Sequence, residues 1–441
     1  MIGARQDQPT DSAQLTEPDA EAHVHGICFK TGPPGRVGVE LEWLVHDARD
    51  PALPVAPERV VAALDGLDSP GALPALGCLT TEPGGQLELS SLPAASIGDC
   101  WTAATRDLAA IRHAMRSAGL CLAGYGLDPF RPPLRVIDVP RYVAMEAFFD
   151  RSGPAGRVMM CSTASVQVCL DAGEDTAGER GLAWRWAVVH AVGPVLVAAF
   201  ANSPLQLGRP TGWRSTRQAV WARLDPGRTR PPARARQGAD PRPRWTEYAL
   251  DAELLCIRTP GAESWAAPGG LTFRGWLNGA ATQVRPPGGA TGGATGGATG
   301  GAAERYPTLD DLDYHLSTLF PPVRPRGHLE LRMIDAQSGD GWIVPAAIAS
   351  ALLDDPQASD AAMAAVEPLW SAWADPWLRA ARYGPADRSI SQASRACFDA
   401  AQGALTRRGA PEPLCQAVAD FAERYVQRDR CPADDLLEEF T

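Results

Sequence analysis

Of the 41 basic side chains in this 441-residue chain, only one, Lys30, is a lysine. A P-loop needs a lysine on its phosphates and a pyridoxal enzyme needs one for its Schiff base. Lys30, in Cys28-Phe29-Lys30-Thr31-Gly32, has neither setting. Phosphate chemistry in this chain must therefore rest on arginine, metal ions or backbone amides. Surplus positive charge is missing too: 52 acidic residues against 41 basic leave a net charge of -11, which counts against nucleic acid as a partner. The ten cysteines contain no CxxC pair, and a chain this long needs no staples, so they are expected to be reduced thiols of a cytoplasmic protein, mostly filling its core. The polar, acidic first 21 residues lack the basic start and apolar run of a signal peptide. The most apolar stretch, residues 187–201, is interrupted by His190 and Pro194 and falls short of the roughly 20 residues that span a bilayer. It is expected to be a core helix, with no membrane partner.

What is present is 45% hydrophobic and 21% charged, the balance of a globular protein with ample core. Residues 1–25 are expected to be a disordered tail, 26–344 a catalytic domain and 345–441 Ala-rich outer helices packed on it. Within the middle part, three tandem Gly-Gly-Ala-Thr copies at 288–299 can bury no apolar surface, so 286–303 is expected to be a flexible loop. A Pro-rich stretch, 225–244, carries Arg228, Arg230, Arg234, Arg236, Arg242 and Arg244, either as a solvated loop or as a lid over phosphates. Helices are expected over 97–119, 178–201 and 308–319, the last opening with a capping box of Thr308 and Asp311.

Four short segments alternate strictly, so each reads as a strand with two unlike faces. In Val37-Gly38-Val39-Glu40-Leu41-Glu42-Trp43 the two glutamates share a face. Glu88 opposes Leu87 and Leu89, Gln167 opposes Val166 and Val168, and Glu330 with Arg332 opposes Leu329, Leu331 and Met333. A solvated face normally mixes Lys, Thr, Ser and Arg, whereas these concentrate carboxylates and amides. If the strands lie side by side, Glu40, Glu42, Glu88 and Glu330 converge, and their repulsion raises their pKa values unless cations intervene. All-oxygen donors with no paired His or Cys select hard ions, so two or more Mg²⁺ or Mn²⁺ ions are expected, with Gln167 in the same cluster. Glu82, at the turn before the second strand, either adds a ligand or caps the turn. Arg332 shares Glu330's face and is the candidate to meet the charge of a transferring phosphoryl group. Arg217 and Trp221, at i and i+4, suit a carboxylate clamp with an aromatic wall.

The stretches GVELEWLV (38–45), TTEPGGQLELSS (80–91), PRYVAM (140–145), STASVQVCLD (162–171), FANSP (200–204), STRQAVWARLDPGRT (215–229) and LFPPVRPRGHLELRMIDAQ (319–337) occur in that order over about 300 residues. Together the chain resembles the carboxylate-amine ligases of the glutamate-cysteine ligase type 2 family, most closely its actinobacterial branch, which serves ergothioneine biosynthesis. The resemblance implies an α+β, glutamine-synthetase-like fold, in which a curved antiparallel sheet forms an active-site funnel with helices packed outside. It implies ATP-dependent joining of the γ-carboxylate of glutamate to the amine of cysteine. By it, Glu40, Glu42, Glu88 and Glu330 are metal ligands, Gln167 is another polar ligand, and Arg332 contacts the phosphoryl group. Arg217 and Trp221 bind glutamate, Glu82 and Asn202 join the substrate site, and Arg228 with Arg332 binds nucleotide. The implied partners are glutamate, cysteine and ATP alone. A different acceptor amine, or a non-catalytic relative that binds nucleotide or glutamate, stays open on the sequence, as does the oligomeric state.

Overall fold

The computed structural model describes residues 14–440 except 68, 179, 233–237, 263, 280–304 and 372–374. The Gly-Gly-Ala-Thr loop, Arg234 and Arg236 lie outside the described residues. The alternating segments become strands of one antiparallel sheet: β1 (Val37–Asp47), β2 (Cys78–Thr81), β3 (Leu87–Ser90), β4 (Leu120–Ala123) and β5 (Ser165–Leu170). A small separate hairpin pairs β6 (Leu205–Gln206) with β7 (Arg209–Pro210), and β8 (Val323–Pro325) with β9 (Leu329–Asp335) closes the main sheet. The order is β2-β3-β1-β5-β9-β8, with β4 on the far end of β1. The expected α+β class with an antiparallel sheet and helices packed around it is the one found.

The apolar residues of each strand point to one side and are sealed there: Val39, Leu41, Leu87, Leu89, Val168, Leu329 and Leu331 are each at most 1% exposed. Behind them lies the helix Leu182–Ala199, apolar on nearly every side and 78% buried, as a helix in a protein core rather than a bilayer is. The helix Ile343–Asp354 sits equally deep, with Ile343 through Leu353 all buried. It is therefore an inner helix of the C-terminal region, which had been expected to lie outside throughout. One main core draws its members from Ala20 to Val426. A second, smaller core stands on the polar side of the sheet, built from Met145, Phe148 and Phe149 of the helix Pro140–Asp150, Met159 of the helix Ala155–Ser162, and Val220 and Phe320. The space between this second core and the polar sheet face is where the chemistry can sit.

Local signals are accurate where a cap is written in the sequence. Thr308 and Asp311 form both halves of the expected capping box at the helix Leu309–Leu316. The tail reading needs correction. Residues 17–25 belong to the helix Glu17–Cys28, capped by Thr16 and Asp19 and tied to the fold by buried Ala20 and Val24. Ala20, Val24 and Cys28, spaced four residues apart, form the stripe that docks it, and Glu17 and His23 bond Arg274 and Asp313 beside it.

Candidate active site

Antiparallel pairing sets the polar residues of six strands in a row. Thr80 opposes Glu88, Glu88 opposes Glu42, Glu40 opposes Gln167, Cys169 opposes Glu330, and Glu330 opposes Arg324. Directly opposed residues share a face, so the row crosses the sheet on one side. A bulge between Val166 and Val168 shifts the register against β9 and lets Met333 and Ile334 both turn inward after Arg332. Over this face lies a cleft of about 390 Å³ whose walls include Glu40, Glu42, Glu82, Glu88, Gln167 and Arg332. Side chains from Glu40 to Arg332, 292 positions apart in the chain, thus meet in one cavity.

Glu82 reaches it from a tight turn. Its backbone N–H bonds to the Gln86 carbonyl and its carbonyl accepts from Gly85 N–H. Gly85 has φ +86°, and a Cβ on Gly84 would stand 2.2 Å from the Cys161 carbonyl oxygen, so both glycines are required there. The Gln86 amide locks the turn by bonding the carbonyls of Met160 and Thr163.

The acidic side of the cleft is under electrostatic load. Burial, then the nearby charges of Glu330 and Glu88, push the Glu40 carboxyl up to about 8. Burial and the charges of Glu88 and Glu42 push Glu82 up to about 8 as well. Glu88 is raised by burial and by Glu42, partly offset by its bond from Thr80. Glu42 is held in place by Ser165 Oγ at 2.9 Å and Gln167 Nε2 at 2.7 Å.

The basic side differs. Glu330 is fully buried and both of its oxygens are taken: Arg324 donates to Oε2 at 2.6 Å and to Oε1 at 2.9 Å, and Arg332 donates to Oε1 at 2.6 Å. Burial alone would raise this carboxyl, but the two guanidiniums outweigh it and hold it far below the usual range. Arg332 in turn is raised, because Glu330, Glu42 and Glu40 outweigh the cost of its burial. As arranged here, Glu330 is an anchor for two arginines beneath the cleft, and an ion could reach it only by displacing one of them. Gln167 is likewise committed, accepting from Arg332 at 2.5 Å while donating to Glu42. It orients the two residues on either side of it.

Arg217 and Trp221 come from one helix, Thr216–Trp221, started by the Ser215 hydroxyl cap. The guanidinium lies 4.6 Å over the Trp221 ring, is 2% exposed, and donates one bond, to the Arg332 carbonyl at 2.8 Å. Its Nε and Nη1 have no hydrogen-bond partner, and Asp335 stands 3.9 Å from Nη1. A buried, charged donor pair left unmade is costly unless a ligand completes it. A carboxylate oxygen is a suitable acceptor for either of these charged N–H groups, one bond at a time.

Two expected site residues are elsewhere. Arg228 is fully buried, donating to the Thr318 carbonyl and hydroxyl and to the Glu253 carbonyl, and stacking on Phe148 at 4.8 Å. It is a strut of the second core, and it does not line the cleft. The Asn202 amide bonds the carbonyls of Gly124 and Ala336 at 2.7 and 2.8 Å, fastening three chain segments below the helix Thr216–Trp221. Conversely, the cleft wall includes Arg141, Tyr142, Arg324 and Arg326, which strand alternation did not single out. Arg141 donates to Ser317 Oγ and its carbonyl and lies 5.0 Å from the Tyr314 ring. The PRYVAM and VRPRGH stretches contain all four, so motif membership was the available signal.

A divalent cation fits this site by donor chemistry. Among the described residues no three carboxylate, imidazole or thiol groups form a ready-made cage. Yet Glu40, Glu82 and Glu88 offer oxygen donors whose mutual repulsion a bound cation would relieve.

Residues 36–439 match the model of glutamate-cysteine ligase family 2. The chain is 39% identical over 430 residues to the glutamate–cysteine ligase EgtA of Mycobacterium tuberculosis, covering 97% of this chain and 91% of that one. It is 38% identical over 422 residues to the glutamate–cysteine ligase EgtA of Mycolicibacterium smegmatis, covering 95% and 90%. The solved structure of a glutamate–cysteine ligase from Francisella tularensis in complex with AMP is similar at a TM-score of 0.47 and 12% identity, over 92% of this chain and 85% of that one.

Proposed function

The chain belongs to glutamate-cysteine ligase family 2, and from that premise we propose that it joins the γ-carboxylate of L-glutamate to the amine of L-cysteine at the expense of ATP, supplying γ-glutamylcysteine for ergothioneine biosynthesis. The observation that carries the reading is the Arg217 guanidinium, buried beside the cleft with Nε and Nη1 unpartnered and Trp221 against its face. An amino acid's carboxylate completes it. The γ-carboxylate oxygen attacks the γ-phosphorus of ATP, the bond to ADP breaks, and a γ-glutamyl phosphate results. A carboxylate alone is a poor electrophile because its leaving group would be oxide; phosphate leaves readily. The amine of cysteine then attacks the acyl carbon, sheds a proton, and phosphate departs.

In this reading Arg332 meets the charge on the transferring oxygens, held in place by its bonds to Glu330 and Gln167. Glu40, Glu82 and Glu88 would hold Mg²⁺ or Mn²⁺, which supplies charge neutralisation to the triphosphate. Glu42 and Gln167 space the acidic and basic sides by their mutual hydrogen bonds. No cysteine of the chain is needed as a nucleophile, and Cys397 and Cys431 are buried with their thiols pushed upward by desolvation. A cytoplasmic location suits substrates and nucleotide of this kind.

The decisive assay supplies ATP, glutamate and Mg²⁺ with cysteine, glycine, alanine or a simple amine, reads ADP release, and identifies the product by mass spectrometry. Fastest turnover with cysteine, giving γ-glutamylcysteine, is expected. Preference for another amine would overturn the acceptor, and nucleotide binding without turnover on any amine would overturn the ligase.

A further inference from the structure

A second cavity, of about 300 Å³, adjoins the cleft on the far side of Trp221. It opens between the helix Leu182–Ala199, the helix Pro376–Tyr383 and the Pro231–Pro232 segment, and four of its wall residues are tryptophans: Trp186, Trp221, Trp370 and Trp377. One polar group in that wall is unmatched. His190 Nδ1 lies 2.8 Å from the Trp186 carbonyl, which can only accept, so Nδ1 carries the proton and Nε2 presents a lone pair. Nε2 is enclosed and has no partner among the described residues. Burial holds the ring's pKa down to about 4, so the lone pair persists at neutral pH.

The wall is wired to the reaction site at three points. Trp221 lines both cavities and carries the Arg217 guanidinium 4.6 Å over its ring. Gln218 Nε2 donates to the Met333 carbonyl at 2.9 Å, and the Pro322 carbonyl accepts from Arg332 N–H at 2.8 Å. Trp221, Gln218 and Pro322 are thus each one contact from a residue of the strand end or clamp that the ligase reading uses.

We propose that this cavity is a second ligand site, for a small planar aromatic molecule carrying one N–H or O–H donor, and that its occupancy tunes the glutamate clamp through Trp221. The tryptophan walls match an aromatic face, and His190 Nε2 accepts the donor. A group that occupies the space behind Trp221 shifts the ring on which Arg217 rests, so the effect falls on glutamate affinity rather than on phosphoryl transfer. That coupling rests on the proposed role of Arg217; the binding itself does not.

Indole is the probe and indene, its isostere without the N–H, the control, with calorimetry on the full chain. Indole is expected to bind one to one and indene about tenfold more weakly. His190→Leu should erase that difference, and Ala187→Phe, which fills the cavity, should abolish binding of both while leaving kcat without probe unchanged. If Ala187→Phe does not fold, Met363→Trp fills the same space from the opposite wall. With indole bound, KM for glutamate should change by about fivefold at constant kcat, and not in the filled variant. Absence of indole binding, or binding that survives cavity filling, overturns the site; equal affinity for indole and indene overturns the role of His190. Binding without a change in KM overturns the coupling. Arg217→Lys with an unchanged KM for glutamate would instead fail the clamp reading and leave the binding result standing.

Discussion

Glu40 and Glu330 are the same residue type on the same face of one sheet, two strands apart, and their carboxyls move in opposite directions. Glu40, beside Glu88 and Glu42 on β1 and β3, is pushed up to about 8 by burial and repulsion. Glu330, beside Arg324 and Arg332 on β8 and β9, is held far below its ordinary value although it is buried more completely. Burial alone therefore does not set the charge state; the sign of the adjacent charges does. The face is a gradient from uncompensated anion to compensated ion pair, with Gln167 at its midpoint bonded to both ends. A nucleoside triphosphate with its cation is suited to such a gradient, the cation to the acidic half and the phosphoryl oxygens to the basic half.

The sharpest way to break the comparison is to empty the basic half. Arg332→Ala should lower kcat by about a hundred- to a thousandfold, with KM for ATP changed far less, in steady-state assays of ADP release. A next, smaller effect exchanges charge for amide at the two ends. Glu330→Gln leaves two guanidiniums facing a neutral group and should cost about 3 to 5 kcal/mol of stability in chemical denaturation. Glu40→Gln removes a carboxylate that is already strained and should leave the metal-free protein no less stable, while weakening Mg²⁺-dependent turnover. Equal losses from the two substitutions would erase the distinction.

The pH dependence follows from the same asymmetry. Glu40 and Glu82 have folded pKa values of about 8, above the ordinary 4.5, so the unfolded chain ionises first. Metal-free stability then falls as pH rises from about 4.5 towards 8. Glu330 is depressed, so its contribution is complete above its ordinary value and is lost as pH falls below it. Melting in EDTA should therefore decline from pH 5.5 to 8.5, and Mg²⁺ should flatten the slope; an upward slope in EDTA would contradict the acidic half. Smallest of all should be the catalytic effect of Arg228→Met, whose partners are carbonyls of the second core. The variant should melt lower while keeping KM for ATP within about twofold, since no transition-state contact is removed.

Much of this was legible in the chain. Period-2 alternation sorts Glu40, Glu42, Glu88, Gln167, Glu330 and Arg332 to polar faces, and pairing brings those faces together. The Thr308–Asp311 box is read correctly because a cap is a local event. Arg228 and Asn202, expected at the site, do not line the cleft because a motif gives a residue's address and not its direction: both point into backbone carbonyls contributed by distant segments. Arg324 was passed over because its strand, β8, is only three residues long, too short to display a period.

The sequence by itself determined that phosphate must meet arginine or metal, since one lysine is available, and that several carboxylates share a polar sheet face. Alternation is a property of neighbouring residues along one strand, so one strand is enough to reveal it. Only the tertiary structure decided which carboxylates are neutralised, because ionisation depends on charges within a few ångströms, and which side chains turn towards one another is settled by strand pairing and side-chain direction rather than by nearness along the chain. The pairing of β8 with β9 added Arg324 to the Arg332 already on Glu330's own strand, while among the described residues no arginine is bonded to Glu40 or Glu82.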